Sequence, residues 1–224
     1  RKESSAASDV YKRQAQFLKR TKSDWVLDIT SLTMHSFVLP FLNIILLYTT
    51  LDFFVPTLKG SVNFGWTGAI AFNVLLDYGW YWNHRLFHGR TLMWNFHKVH
   101  HAPENLDILK TPRNSILSHF MMLYWWMIGT ATFVALDPAC IIFVGTISLM
   151  INFWGHSPFD LKSGTHFEKT ISLVFITPRD HHWHHSKENS YCNFATVFTF
   201  WDRLHGTLYR TGEFPKSYGF PTQD

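Results

Sequence analysis

Four long uncharged stretches set the pattern of the chain: residues 29–51, 60–76, 114–136 and 138–159, which are 23, 17, 23 and 22 residues long. The second continues past Asp77 through the aromatic run Tyr78-Gly-Trp-Tyr-Trp82. A helix needs about 20 apolar residues to cross about 30 Å of hydrocarbon, so the pattern predicts an all-α integral membrane protein with four transmembrane helices. The stretches come in two pairs. Leu136-Asp137-Pro138 joins one pair tightly and residues 52–59 join the other, which makes two hairpins. Buried helices of a soluble fold are the competing explanation, but four such stretches in 224 residues argue against it.

Charge sharpens this topology. Two hairpins place the N-terminal segment, residues 83–113 and residues 160–224 on one side, and those regions hold 19 of the 20 Lys and Arg residues; Lys59 is the exception. Under the positive-inside rule that side is the cytoplasm. The net charge of +4 is then a topology signal, and the basic residues form no aromatic-interleaved run that would suit nucleic acid. Two distant cysteines, Cys140 and Cys192, build neither a disulfide framework nor a thiolate zinc site. Residues 1–24 are polar and read as a disordered or foreign tail, leaving 25–224 as one membrane domain.

The polar segments carry the chemistry. His84-Arg-Leu-Phe-His88 is followed by His97-Lys-Val-His100-His101, and a later run reads His181-His182-Trp183-His184-His185. In helices, offsets of three and four bring side chains onto one face, and imidazole is the commonest metal ligand. His156 ends the fourth stretch on the same predicted side. The expected ligands are His84, His88, His97, His100, His101, His156, His181, His184 and His185, around a metal site in a cytoplasmic helical cap. His182 points off that face and reads as structural or as a supporting residue. Ligating histidines often donate their other N–H to a carboxylate or carbonyl, and Asp77, Asp107, Asp180 and Asp202 are the nearby carboxylates. His119 lies close enough to face the site, whereas His35 reads as an incidental interfacial residue. Arg113 and Asn114 read as organisers of the central loop or of lipid headgroups.

At these motifs the chain resembles the fatty acid hydroxylase/sterol desaturase superfamily of membrane di-iron enzymes. The three boxes HxxxH, HxxHH and HxxHH stand in order. Tyr81-Trp-Asn-His84-Arg85 resembles the lead-in to the first, and Phe153-Trp-Gly-His156-Ser157 resembles a further His-Ser element. The segment from Asn193 to Thr207, with Asp202 and Gly206, resembles the 4-methylsterol oxidase and cholesterol 25-hydroxylase branch; His205 departs from it. The resemblance covers about residues 60–210.

That resemblance implies two Fe ions, with zinc as a substitute, and O2 with two electrons from NAD(P)H through a separate carrier, cytochrome b5 or a ferredoxin-type reductase. It implies oxidation of a C–H bond of a membrane lipid, a sterol first and a fatty acyl or alkylglycerol lipid as the alternative. The location implied is the endoplasmic reticulum in a eukaryote or the inner membrane in a bacterium. Neutral nitrogen ligands suit iron, and the chain lacks the Glu and Glu-x-x-His ligands of soluble di-iron bundles. Two readings of other classes use the same residues: a metal transporter, and an inactive lipid-binding membrane protein. The aromatic residues Trp80-Tyr81-Trp82 and Tyr124-Trp125-Trp126 are expected to wall a lipid path, with Trp125 or Trp126 facing the cavity.

Overall fold

The computed structural model describes residues 20–219. Helix α1 (Lys22–Phe54) opens with a capping box, in which the Thr21 hydroxyl accepts the Asp24 N–H and the Asp24 carboxylate accepts the Thr21 N–H. Its middle is irregular. Over Met34–Val38 it widens into a π turn, and the Leu39 N–H donates to the Met34 carbonyl five residues back. Pro40 supplies the reason: it has no N–H for the Ser36 carbonyl, and its ring crowds that carbonyl.

Helix α2 (Gly65–Gly89) buries Ala69, Asn73, Leu76, Asp77, Tyr81, His84 and Phe87, a stripe at three- and four-residue spacing. A sharp turn at Arg90 leads into α3 (Thr91–His101), which packs back on α2. Helices α4 (Ile116–Met121) and α5 (Leu123–Val134) are separated by Met122, whose ψ of 112° breaks the helix. Helix α6 (Ala139–Gly155) follows a turn in which the Asp137 carboxylate accepts the Ala139 N–H. Three short helices complete the chain: α7 (His166–Val174), α8 (Pro178–His184) and α9 (Phe200–Leu204).

Helix α2 is the central post. It packs on α3, α5 and α6; α1 lies against α5, and α8 against α6. Small side chains allow the close approach: Ala69, Ala131 and Ala135 form one buried cluster with Ile141. The two connectors meet where the Leu136 N–H donates to the Val62 carbonyl at 2.8 Å. A second cluster, Tyr81, Ile176, Phe194 and Ala195, fastens the C-terminal segment to α2.

The all-α expectation holds among the described residues, where three isolated β-bridges are the only extended pairings. The four transmembrane helices do not. Among the described residues only α1 is long and apolar enough to cross a membrane. The second stretch became a 25-residue helix, but from its midpoint onward it carries Asp77, His84, Arg85 and His88. The third is cut at Met122 into pieces of 6 and 12 residues. The fourth is 17 residues, about 25 Å at 1.5 Å per residue. The assignment of sides that rested on two hairpins falls with that topology. Arg20 is ion-paired and α1 begins at Lys22, so the end of the expected tail belongs to the fold; the rest of residues 1–24 lies outside the described residues.

Candidate metal centre

The three histidine motifs sit where helices end against one another. The first occupies the last two turns of α2, the second the last two turns of α3, and the third is α8 and its C-cap. Helix α8 is short, so its start must be fixed. Thr177 and Asp180 form a capping box around Pro178, a residue suited to the first helical position. Arg210 holds the Asp180 carboxylate from outside.

All nine expected ligands converge, in two groups. His84, His88, His97, His101 and His184 form one; His100, His156, His181 and His185 form the other. Within each group one ring nitrogen per residue lies within 4.8 Å of all the others. Each HxxHH motif serves both groups. Its i,i+4 pair stays together (His97 with His101, His181 with His185), and the remaining ring, His100 or His184, reaches the other group. The groups touch where the His101 and His185 rings stack at 4.3 Å.

Backbone carbonyls orient these rings. Nδ1–H of His84 donates to the Phe194 carbonyl at 2.8 Å, and that of His184 to the Cys192 carbonyl at 2.7 Å. His100 donates in the same way to Arg113, and His156 to Asn152. These bonds fix the tautomer and leave each Nε2 as a lone pair. In that tautomer Nε2 of His100 and Nε2 of His156, 3.3 Å apart, are both acceptors and repel. Other Nε2 pairs close to 3.1 Å: His84 with His97, His156 with His181, and His181 with His185. Two nitrogens about 2.1 Å from one tetrahedral or octahedral ion stand about 3.0–3.4 Å apart, so this spacing fits a cation shared between them. The His184 Nε2 has no hydrogen-bond partner among the described residues, as a ligand atom would.

Burial supports the same state. It holds His97, His100, His101, His181, His184 and His185 well below the ordinary imidazole range, and the neighbouring imidazoles add to the effect. Neutral rings keep their lone pairs for metal. No carboxylate belongs to either group, so the donor set is all imidazole.

The remaining expected residues do other work. His182 uses both nitrogens, on the Tyr218 hydroxyl and the Ser157 carbonyl, and is structural. Asp77 accepts from the Thr196 hydroxyl and the Phe198 N–H. Asp107 faces Arg20 and Lys110, and Asp180 faces Arg210. Asp202 accepts the N–H groups of Phe194 and Ala195, so it steadies the peptide that carries the carbonyl for His84. Sequence reading gave Asn193 no role. It stands at φ 50°, and its amide bonds the carbonyls of Asp180 and Tyr209. Asn tolerates that backbone region better than most residues, which is the one signal the sequence offered.

A cavity of about 170 Å³ opens beside the rings of His84, His97, His100, His156 and His181. Trp80, Tyr124 and Trp125 line it. Trp126 instead donates its indole N–H to the Phe120 carbonyl. His119 lines the cavity as expected, and so does His35, which is therefore no incidental interfacial residue.

Comparison with known proteins falls on the same region of the chain. Residues 69–207, which contain all nine histidines, match the fatty acid hydroxylase family. An alkylglycerol monooxygenase from Danio rerio is 30% identical over 146 residues, 64% of this chain and 30% of that protein. An ornithine lipid hydroxylase from Rhizobium tropici is 30% identical over 141 residues, 61% of this chain and 40% of its own length. A cholesterol 25-hydroxylase from Mus musculus is 31% identical over 123 residues, 54% of this chain and 39% of its own length. The chain thus spans about a third of the length of the curated relatives it matches. No solved structure matches it. The sterol branch is not singled out, because alkylglycerol and ornithine-lipid enzymes align over more of the chain.

Proposed function

Because the chain belongs to the fatty acid hydroxylase family, we propose that it is a membrane-associated oxygenase that inserts oxygen into a C–H bond of a lipid. The observation that carries the reading is the pair of all-imidazole groups, each with its ring nitrogens within 4.8 Å. His84, His88, His97, His101 and His184 would hold one ion, and His100, His156, His181 and His185 the other. Iron suits the proposed reaction, with zinc as a competitor for the same ligands. Two iron ions held there would supply the oxidising power to break an unactivated C–H bond with O2 and two electrons. The balance is R–H + O2 + 2 electrons + 2 protons giving R–OH + H2O. A separate carrier such as cytochrome b5 or a ferredoxin-type protein would bring the electrons.

The protein's own residues bind and orient. The carbonyls of Phe194, Arg113, Asn152 and Cys192 hold four rings in one tautomer, so the centre is organised before a lipid arrives. Leu76, Met122, Leu149 and Phe153 line the adjoining cavity and would exclude water from the reacting carbon. We favour an alkylglycerol or acyl-chain lipid over a sterol, since relatives named for such lipids align over the larger part of the chain.

The test is metal analysis combined with turnover. Purified chain reconstituted with iron, a reductant and O2 is expected to hydroxylate a 1-O-alkylglycerol faster than cholesterol, with 18O from O2 in the product. A chain that binds no iron, or a product free of label, would overturn the oxygenase reading. Faster cholesterol turnover would overturn the choice of lipid.

A further inference from the structure

The cavity has a polar wall that the metal centre does not use. His35 and Ser36 come to it from α1, and His119 from α4; the His35 and His119 rings lie 5.8 Å apart. His119 is 1% exposed, its ring is stacked on Trp125 at 5.0 Å, and its Nε2 has no hydrogen-bond partner among the described residues. An unpaired buried nitrogen costs stability unless something else satisfies it.

Two breaks in helical regularity meet at this wall. The π turn Met34–Val38 carries His35 and Ser36 into the cavity. The interruption at Met122 falls between His119 and Trp125, and Met122 itself lines the cavity. A π turn inside an α-helix is rare and clusters at functional sites. Here the distortions from two separate segments coincide on one polar patch.

The chemistry of the wall narrows what it binds. Among the described residues lining the cavity none is Lys or Arg, so a phosphate or carboxylate would enter without a counter-charge. The one carboxylate, Asp77, already accepts from Thr196 and Phe198. An imidazole can donate to an ether or carbonyl oxygen and accept from a hydroxyl. At about 170 Å³ the space is below the 300 Å³ or so of pockets that enclose a drug-sized ligand, so it admits one end of a lipid.

We propose that the His35–His119 wall is the polar subsite of the lipid pocket, taking an uncharged oxygen function of the substrate and thereby placing a neighbouring carbon at the histidine centre. This rests on the lipid-oxygenase reading and adds the substrate class: a lipid whose reactive region bears a hydroxyl, ether or ester oxygen and no charge. His119 is the positioning residue, and Trp125 fixes the plane of its ring.

The test is equilibrium binding by the full chain in detergent micelles, measured by displacement of a fluorescent fatty alcohol. The probes are 1-O-hexadecylglycerol, hexadecane and hexadecyl phosphate, with bound metal determined on every sample. Wild type is expected to prefer the alkylglycerol over both others. His119→Phe should erase about two- to tenfold of that preference, the worth of one hydrogen bond, at unchanged metal content. His119→Gln, which keeps a donor and an acceptor, should restore most of it. If His119→Phe does not fold, His35→Phe at its half-buried position carries the same comparison. No preference in wild type, preference retained in both Phe variants, or tightest binding of the phosphate would each overturn the subsite. Metal content separates the two readings: absence of bound metal counts against the oxygenase, while the order of lipid affinities is still measured.

Discussion

His182 and His184 stand two residues apart and do opposite work. His184 has one nitrogen on the Cys192 carbonyl and the other unpaired, whereas His182 spends both on Tyr218 and Ser157. His184→Ala is therefore expected to lower bound metal and abolish turnover. His182→Ala should keep metal but lower stability by about 1–3 kcal/mol, since it takes the imidazole donor from the buried Ser157 carbonyl. Metal per chain and thermal melting of both variants check this; full metal content in His184→Ala would remove it from the ligand set. The convergence of these histidines was legible because helical period alone selects 181, 184 and 185 and sets 182 aside. What holds them was not. The acceptors are main-chain carbonyls of Phe194, Arg113, Asn152 and Cys192, and a carbonyl leaves no mark on residue type. His35 was misread for a related reason: its direction is set by the π turn beside Pro40, which no 3.6-residue period anticipates.

At the scale of elements, α8 shows how local sequence sets the site. Seven residues make a marginal helix, yet it must present His181, His184 and His185 together. Thr177, Pro178 and Asp180 start it, and Asp180 also meets Arg210. Thr177→Val removes the hydroxyl that caps the Asp180 N–H and should cost about 1 kcal/mol. The loss should appear both as a lower melting temperature and as faster metal release to a chelator, because the cap and the ligands share one helix. A melting change without faster release would separate them. The four uncharged stretches were read correctly as helical and wrongly as four spans. Length without charge does not reveal a break such as Met122, where the backbone turns extended within an apolar run.

A buried ionic knot ties the N-terminal helix to the centre. Asp28 of α1 pairs with both Arg20 and Arg113, Arg20 also meets Asp107, and the Arg113 carbonyl receives Nδ1–H of His100. Asp28 is 1% exposed, so Asp28→Ala removes the carboxylate that the two cations share and leaves Arg20 on Asp107 and Arg113 on the more exposed Asp24. About 3–5 kcal/mol is expected for breaking such a pair. The loss should be visible as a lower urea midpoint and as weaker metal retention through His100. Unchanged metal retention in a folded Asp28→Ala chain would show that the knot serves the fold alone.

The same helix has the features that would decide how the whole molecule meets a membrane. Beyond the knot, α1 is apolar and sparsely covered: Phe37, Phe41, Leu42, Ile44, Ile45 and Leu46 are all exposed. A helix that is apolar around its circumference and left uncovered is unfavourable in water, and it is the one helix among the described residues with the length and composition to cross a bilayer. The net charge of +4 offers a rival, purely electrostatic attraction to anionic lipid. Salt distinguishes them, because at about 1 M the Debye length shrinks to about 3 Å while apolar burial persists. The chain is expected to co-sediment with uncharged phosphatidylcholine vesicles and to stay with them in 1 M NaCl. Leu42→Arg should weaken that association, since a centrally placed Arg costs about 2.5–3.5 kcal/mol on insertion scales. Release of the wild-type chain by salt, or equal retention of Leu42→Arg, would mean that α1 does not anchor the protein.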